Sequence, residues 1–118
     1  MHKITIWHNP RCSKSRAGLA LLEEQGIAPE VVKYLDTPPT VAELTTLLDK
    51  LGMEPRELMR TKEVIYKELE LKNVEDDTQL IEAMVANPKL IERPIVIKGD
   101  RAVIGRPIEN ILTLLNKI

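Results

Sequence analysis

Cysteine is almost missing from this sequence: Cys12 is the only one. One thiol cannot close an internal disulfide, so a disulfide framework and the oxidising compartment that sustains it are neither needed nor indicated. The two histidines stand far from any second thiol, which leaves no zinc-type ligand spacing and no expected metal. Charge of one sign is also lacking. Seventeen basic and eighteen acidic residues leave a net charge of -1, without the basic footprint expected of a nucleic-acid or anionic-membrane binder. No stretch approaches the ~20 apolar residues of a membrane-spanning helix. Residues 1–10 have no apolar signal-peptide core, and the expectation is a cytoplasmic protein.

What is present fits one globular domain. A chain of 118 residues with 43% hydrophobic and 30% charged residues can bury one core, and no low-complexity linker divides it. Lys3-Ile4-Thr5-Ile6-Trp7 predicts a strand broken by His8-Asn9-Pro10. A helix is expected from Ser13, carrying Ala17, Ala20 and Leu21 on one face, with Gly26 as its stop. Val31 to Leu35 predicts a second strand, and the intervening helix makes the pair a βαβ unit with parallel strands.

Thr40 and Glu43 form a T-x-x-E capping box ahead of Val41, Leu44, Leu47, Leu48 and Leu51, which share a helical face. Gly52 should end that helix. Pro55 can open a short helix through Met59, and Leu80, Ile81, Met84 and Val85 predict another that stops before Pro88. Ile95-Val96-Ile97, Gly99-Asp100 and Ala102-Val103-Ile104 have the form of a β-hairpin, and Pro107 should start a last helix with Ile108, Ile111, Leu112 and Leu115. The order βαβ, helical insertion, ββα is a thioredoxin-like α/β layout with a mixed four-stranded sheet: a single domain over 1–118, its insertion at about 40–90.

This order places Cys12 at a helix N-terminus, where the dipole and nearby cations can lower a thiol pKa from ~8.5 to roughly 3.5–7.5. Arg11, Lys14 and Arg16 flank it, and His8 is close enough to contribute a proton-sensitive contact. A buried structural cysteine is the bland alternative, although an apolar core position rarely stands among Arg11, Ser13 and Lys14. Two familiar thiol sites fail on spacing. A dithiol oxidoreductase needs C-x-x-C, but Cys12-Ser13-Lys14-Ser15 has serine second; a phosphatase-like loop needs arginine six residues after the nucleophile, where Gly18 stands. An anion would have to be held by the backbone N–H groups after Cys12 and by distant arginine forks, with Arg60, Arg93 and Arg106 as candidates.

Across essentially its whole length the sequence resembles the glutaredoxin-coupled arsenate reductase, or ArsC-like, family. Ile4-Thr5-Ile6-Trp7-His8-Asn9-Pro10-Arg11-Cys12-Ser13 matches the strand and loop that present the nucleophile, and Tyr34-Leu35-Asp36-Thr37-Pro38-Pro39 a second motif. Leu58-Met59-Arg60, Glu92-Arg93-Pro94-Ile95-Val96 and Gly105-Arg106-Pro107 resemble segments that bear the family's anion-binding arginines. The resemblance implies a thioredoxin-like fold with Pro94 at the cis-proline position, and Cys12 thiolate attacking arsenate with Arg60, Arg93 and Arg106 on the oxyanion. His8 and Ser15 match positions that assist the thiolate. It also implies glutathione as co-substrate, glutaredoxin as partner and no bound cofactor, which agrees with a single-cysteine protein that must borrow reducing thiols.

Arg11 and Lys14 depart from the smaller or neutral residues of many such reductases, which leaves open another oxyanion or a glutathione adduct as substrate. The broader family also includes Spx-like regulators that bind RNA polymerase. Those commonly carry C-x-x-C, which Ser15 interrupts here.

Overall fold

The computed structural model describes residues 3–115. Its elements run β1 (Ile4–Trp7), α1 (Ser13–Glu24), β2 (Glu30–Val32), α2 (Val41–Leu51), α3 (Pro55–Leu58), α4 (Val64–Glu68), α5 (Asp77–Ala86), β3 (Ile95–Lys98), β4 (Arg101–Ile104) and α6 (Glu109–Leu114), with 3-10 turns at Leu71–Asn73 and Pro88–Leu90. Two compact units result, one formed by the segments up to Thr37 and from Arg93 onward, the other by Pro38–Glu92.

The first unit holds the sheet, in the order β2-β1-β3-β4. The β1 and β2 strands are parallel, as their α1 connection requires, while β1/β3 and β3/β4 are antiparallel. Register places Ile6 opposite Val96, and both side chains are fully buried. They share a cluster with Leu22 from α1 and with Ile111 and Leu114 from α6, so the two helices are seated by the apolar face of the sheet's two central strands. Gly26 closes α1: its φ of +77° suits glycine, and the Ile27 N–H reaches the Leu22 carbonyl at 3.0 Å while the Gly26 N–H reaches Glu23, a Schellman arrangement.

The β2 strand begins at Glu30 and α3 ends at Leu58, each one residue from expectation, and two boundaries differ by more. The β2 strand stops at Val32, where the His8 N–H takes the last ladder carbonyl at 2.8 Å, rather than reaching Leu35. The Lys33 carbonyl then accepts the N–H groups of Asp36 and Thr37, a turn that carries Tyr34 inward to stack on Trp7 with centroids 6.2 Å apart. The last helix begins at Glu109 instead of Pro107, because Asn110 and Ile111 bond back to Pro107 and Ile108 in tight three-residue turns first.

In the helical unit the capping box is formed as expected. Thr40 Oγ1 accepts the Glu43 N–H at 3.1 Å and Glu43 Oε1 accepts the Thr40 N–H at 2.9 Å. Leu44, Leu47 and Leu48 of α2 are buried, as are Leu80, Ile81 and Met84 of α5, and these two helices contact each other. Arg56 ties α3 to the following segment by donating to Tyr66 Oη and to the carbonyls of Leu71 and Val74. The α4 helix was not expected, since five residues are too few to show a period. Among the described residues no helix is long and apolar enough to cross a membrane.

Candidate active site

The loop between β1 and α1 is built by its own polar atoms. Asn9 Oδ1 accepts the Arg11 N–H at 3.0 Å, and the Asn9 carbonyl accepts the Cys12 N–H at 3.0 Å. Arg16 donates from Nη1 to the Pro10 carbonyl at 2.9 Å, pinning the loop to the first turn of α1. Cys12 is left as the N-cap residue, extended at φ -98° and ψ 124°, with its side chain making no capping bond. The thiol lies within reach of the Lys14 and Ser15 N–H groups of the first turn.

Those N–H groups and one arginine set its acidity. Burial pushes the Cys12 thiol up. The backbone N–H of Ser15, the Arg93 side chain, the N–H of Lys14 and the Arg93 charge outweigh it, and the net displacement is below the ordinary cysteine value. The cause differs in part from the sequence expectation: Lys14 acts through its backbone, while Arg16 is committed to Pro10.

The second wall comes from the far end of the chain. Arg106 donates from Nε to the Arg93 carbonyl at 2.8 Å, and its Nη2 lies 3.7 Å from Cys12 Sγ. Arg93 presents Nε and Nη1 as buried donors without a hydrogen-bond partner. A buried unpaired guanidinium N–H is costly, so its persistence beside the Cys12 thiol marks a place where an anion would repay the desolvation. The Arg93–Pro94 bond is cis, and so is Arg106–Pro107, which the sequence reading did not foresee.

His8 and Ser15 form the floor. Both are buried, and Ser15 Oγ lies 2.7 Å from His8 Nδ1 while accepting the Asn9 N–H at 2.9 Å. With Oγ accepting from Asn9, its own hydrogen can be donated to His8 Nδ1 when the imidazole is neutral. The neutral form is the favoured one: burial pushes His8 below the ordinary histidine value, Lys33 and Arg16 add to the effect, and a hydrogen bond to the Ser15 backbone opposes it. His8 thus acts on the site through Ser15 and the loop.

Cys12, His8, Ser15, Arg93, Pro94 and Arg106 all lie in the sheet unit, and the contacts above bring them together. Arg60 belongs to the helical unit, where its guanidinium pairs with Glu63 at 3.2 Å and Glu92 at 3.5 Å and its N–H bonds to Leu90. Sequence reasoning missed Asn9 and Lys33 as parts of the site. The Asn-Pro pair was a usable turn signal for the first, whereas Lys33 reaches His8 only through the β1/β2 pairing. Among the described residues no group of three or more His, Cys, Asp or Glu side chains is placed to hold a metal ion.

Residues 7–114 match the ArsC family, a span that contains the loop, the thiol and all three candidate arginines. The chain is a member of the ArsC family. An arsenate reductase of Neisseria meningitidis serogroup A is 55% identical over 117 residues, covering 98% of this chain and 100% of that protein. An Escherichia coli protein named YfgD and described as uncharacterized is 55% identical over 115 residues, covering 96% and 97%. The structure of an arsenate reductase from Vibrio cholerae superposes with a TM-score of 0.92 at 54% identity, covering 95% of this chain and 97% of that one. The ArsC fold is thus present from β1 to α6, a mixed α/β, thioredoxin-like arrangement around the order β2-β1-β3-β4.

Proposed function

We propose that this ArsC-family protein reduces arsenate to arsenite, with Cys12 as nucleophile and glutathione and glutaredoxin supplying the remaining thiol chemistry. One observation carries the reading: a thiol displaced toward the thiolate faces an arginine whose buried donors have no protein partner. An acidified thiol and unpartnered guanidinium donors side by side suit attack on a tetrahedral oxyanion. The relatives named as arsenate reductases give the oxyanion its identity.

In this reaction Cys12 Sγ attacks arsenic, a sulfur–arsenic bond forms, and one arsenate oxygen leaves as water after protonation. Arg93 and Arg106 neutralise the remaining oxygens, and the N–H groups of Lys14 and Ser15 stabilise the thiolate before attack. Arg60 joins them on the family resemblance alone. Glutathione sulfur then displaces a second oxygen from arsenic as water. The glutaredoxin thiol attacks the glutathione sulfur, forming a glutathione–glutaredoxin disulfide and leaving the sulfur–arsenic electron pair on arsenic. One water then releases arsenite and restores the Cys12 thiol. In total two thiols lose two electrons and form a disulfide, As(V) becomes As(III), and one water is produced. The second and third sulfurs must come from outside, because Cys12 is the only cysteine. With glutathione and glutaredoxin as its thiols, the proposed reaction would be a cytoplasmic one.

The Spx-like reading is weaker, since the position of a second thiol holds Ser15, which is buried and engaged with His8 and Asn9. The test is arsenite formation from arsenate with glutathione and glutaredoxin. Turnover should depend on glutaredoxin and vanish in Cys12→Ala. A folded wild-type protein that makes no arsenite at saturating arsenate refutes the substrate assignment.

A further inference from the structure

Two glycines outside the polar contacts of the site converge on one atom. A Cβ built at Gly18, in the middle of α1, would lie 2.9 Å from Pro94 Cγ, and a Cβ at Gly105, just after β4, would also lie 2.9 Å from Pro94 Cγ. Both would press on Ile111 Cδ1 as well, at 3.3 and 3.1 Å. The proline ring is thus seated in a slot whose walls are two bare Cα atoms, closed by a core side chain. Pro94 Cγ belongs to a ring and cannot swing away as the end of a flexible side chain could. Neither glycine is placed by backbone need, since only Gly26, Gly52 and Gly99 have positive φ. On helix propensity alone, alanine would be preferred at Gly18. The slot explains why glycine stands there.

We propose that Gly18 and Gly105 are positioning residues that set the two arginines against Cys12 by fixing Pro94 between them. The connection is short. Pro94 follows Arg93 directly, and its carbonyl accepts the Gly105 N–H at 2.8 Å. Arg106 follows Gly105 directly, and its Nε donates to the Arg93 carbonyl at 2.8 Å. Gly18 stands six residues beyond Cys12 on the helix whose N-terminus carries the thiol. One slot therefore indexes three things to a common point: the α1 helix, the Arg93 backbone and the Arg106 backbone. Adding one methyl group at either wall must displace the ring, and with it the guanidinium that lowers the Cys12 thiol. This inference rests on the oxyanion-site reading for its purpose, but not for its measurement.

The experiment is the pH dependence of Cys12 alkylation by iodoacetamide in Gly18→Ala, Gly105→Ala and Pro94→Ala, with Leu22→Ala as a core variant outside the slot. The glycine variants should alkylate several-fold more slowly at mildly acidic pH, as the thiol moves back toward the ordinary cysteine range, with the folded circular dichroism spectrum retained. Should a glycine variant fail to fold, Pro94→Ala reads the same displacement, since it removes the ring while leaving the walls clear. Leu22→Ala should lose stability without moving the thiol. Folded slot variants whose titration superimposes on the wild type overturn the proposal, and so does an equal displacement in Leu22→Ala, which would make the effect general loosening. No arsenate is present, so displaced slot variants together with a wild type inactive on arsenate would keep the slot and remove only the substrate.

Discussion

Replacing Arg93 by methionine, an uncharged side chain of similar length, should separate stability from chemistry. In the free protein Arg93 Nε and Nη1 are buried without partners. Each such donor costs about 1–3 kcal/mol, and the side chain as a whole is only half-buried, so the expected release on substitution is on the order of 1–3 kcal/mol in total. Opposing it is the thiolate. Arg93 helps hold the Cys12 pKa below its ordinary value, and a lowered acid contributes stability that is fully present above the unfolded pKa and lost as pH falls through the folded one. Methionine removes part of that contribution. The variant's advantage should therefore be largest at acid pH and shrink as pH rises toward the unfolded thiol's value.

Urea unfolding under reducing conditions at about pH 6 and about pH 8.5 measures both effects, since other titrations largely cancel in the difference. Saturating arsenate adds a second contrast. It should stabilise the wild type by about 2.7 kcal/mol at a hundred times its dissociation constant and leave Arg93→Met unmoved. A variant destabilised equally at both pH values would instead make Arg93 a packing residue.

Two further outcomes follow from the same geometry. Ser15→Ala strips the Asn9 N–H of its acceptor and His8 Nδ1 of its partner, which should cost about 1–3 kcal/mol in urea unfolding. Its Cys12 should still titrate below the ordinary cysteine value, because the Ser15 N–H is kept; reversion to an ordinary thiol would contradict that assignment. His8 is held below the ordinary histidine value mainly by burial. Its contribution is fully present above that value and lost as pH falls through the folded one, so His8→Asn should flatten the acid side of the stability profile. An unchanged slope there would show that another group sets it.

Much of the fold was legible because its signals are local. The T-x-x-E box at Thr40 and Glu43, the turn at Gly99-Asp100 and the alternation around them each specify an element within a few residues. The parallel β1/β2 pairing followed from the helix between them. The early end of β2 was not legible, since it depends on the Lys33 turn that takes Tyr34 onto Trp7. In the site, Cys12 could be placed from the strand, loop and helix order alone. Which cation governs it could not. Arg11, Lys14 and Arg16 are neighbours in sequence, yet the charge that acts is Arg93, brought in by the β1/β3 pairing. The seat of Pro94 on Gly18 and Gly105 is likewise invisible to any periodicity, because it joins three distant segments through contacts of about one atom each.

What matters most is that the Cys12 thiol is acidified beside arginine donors suited to an anion. A pH titration of Cys12 alkylation in the wild-type protein, with and without arsenate, tests it most directly. The thiol pKa should lie below that of free cysteine, and alkylation should slow once arsenate occupies the arginines. A pKa at the ordinary cysteine value that arsenate does not move would contradict it.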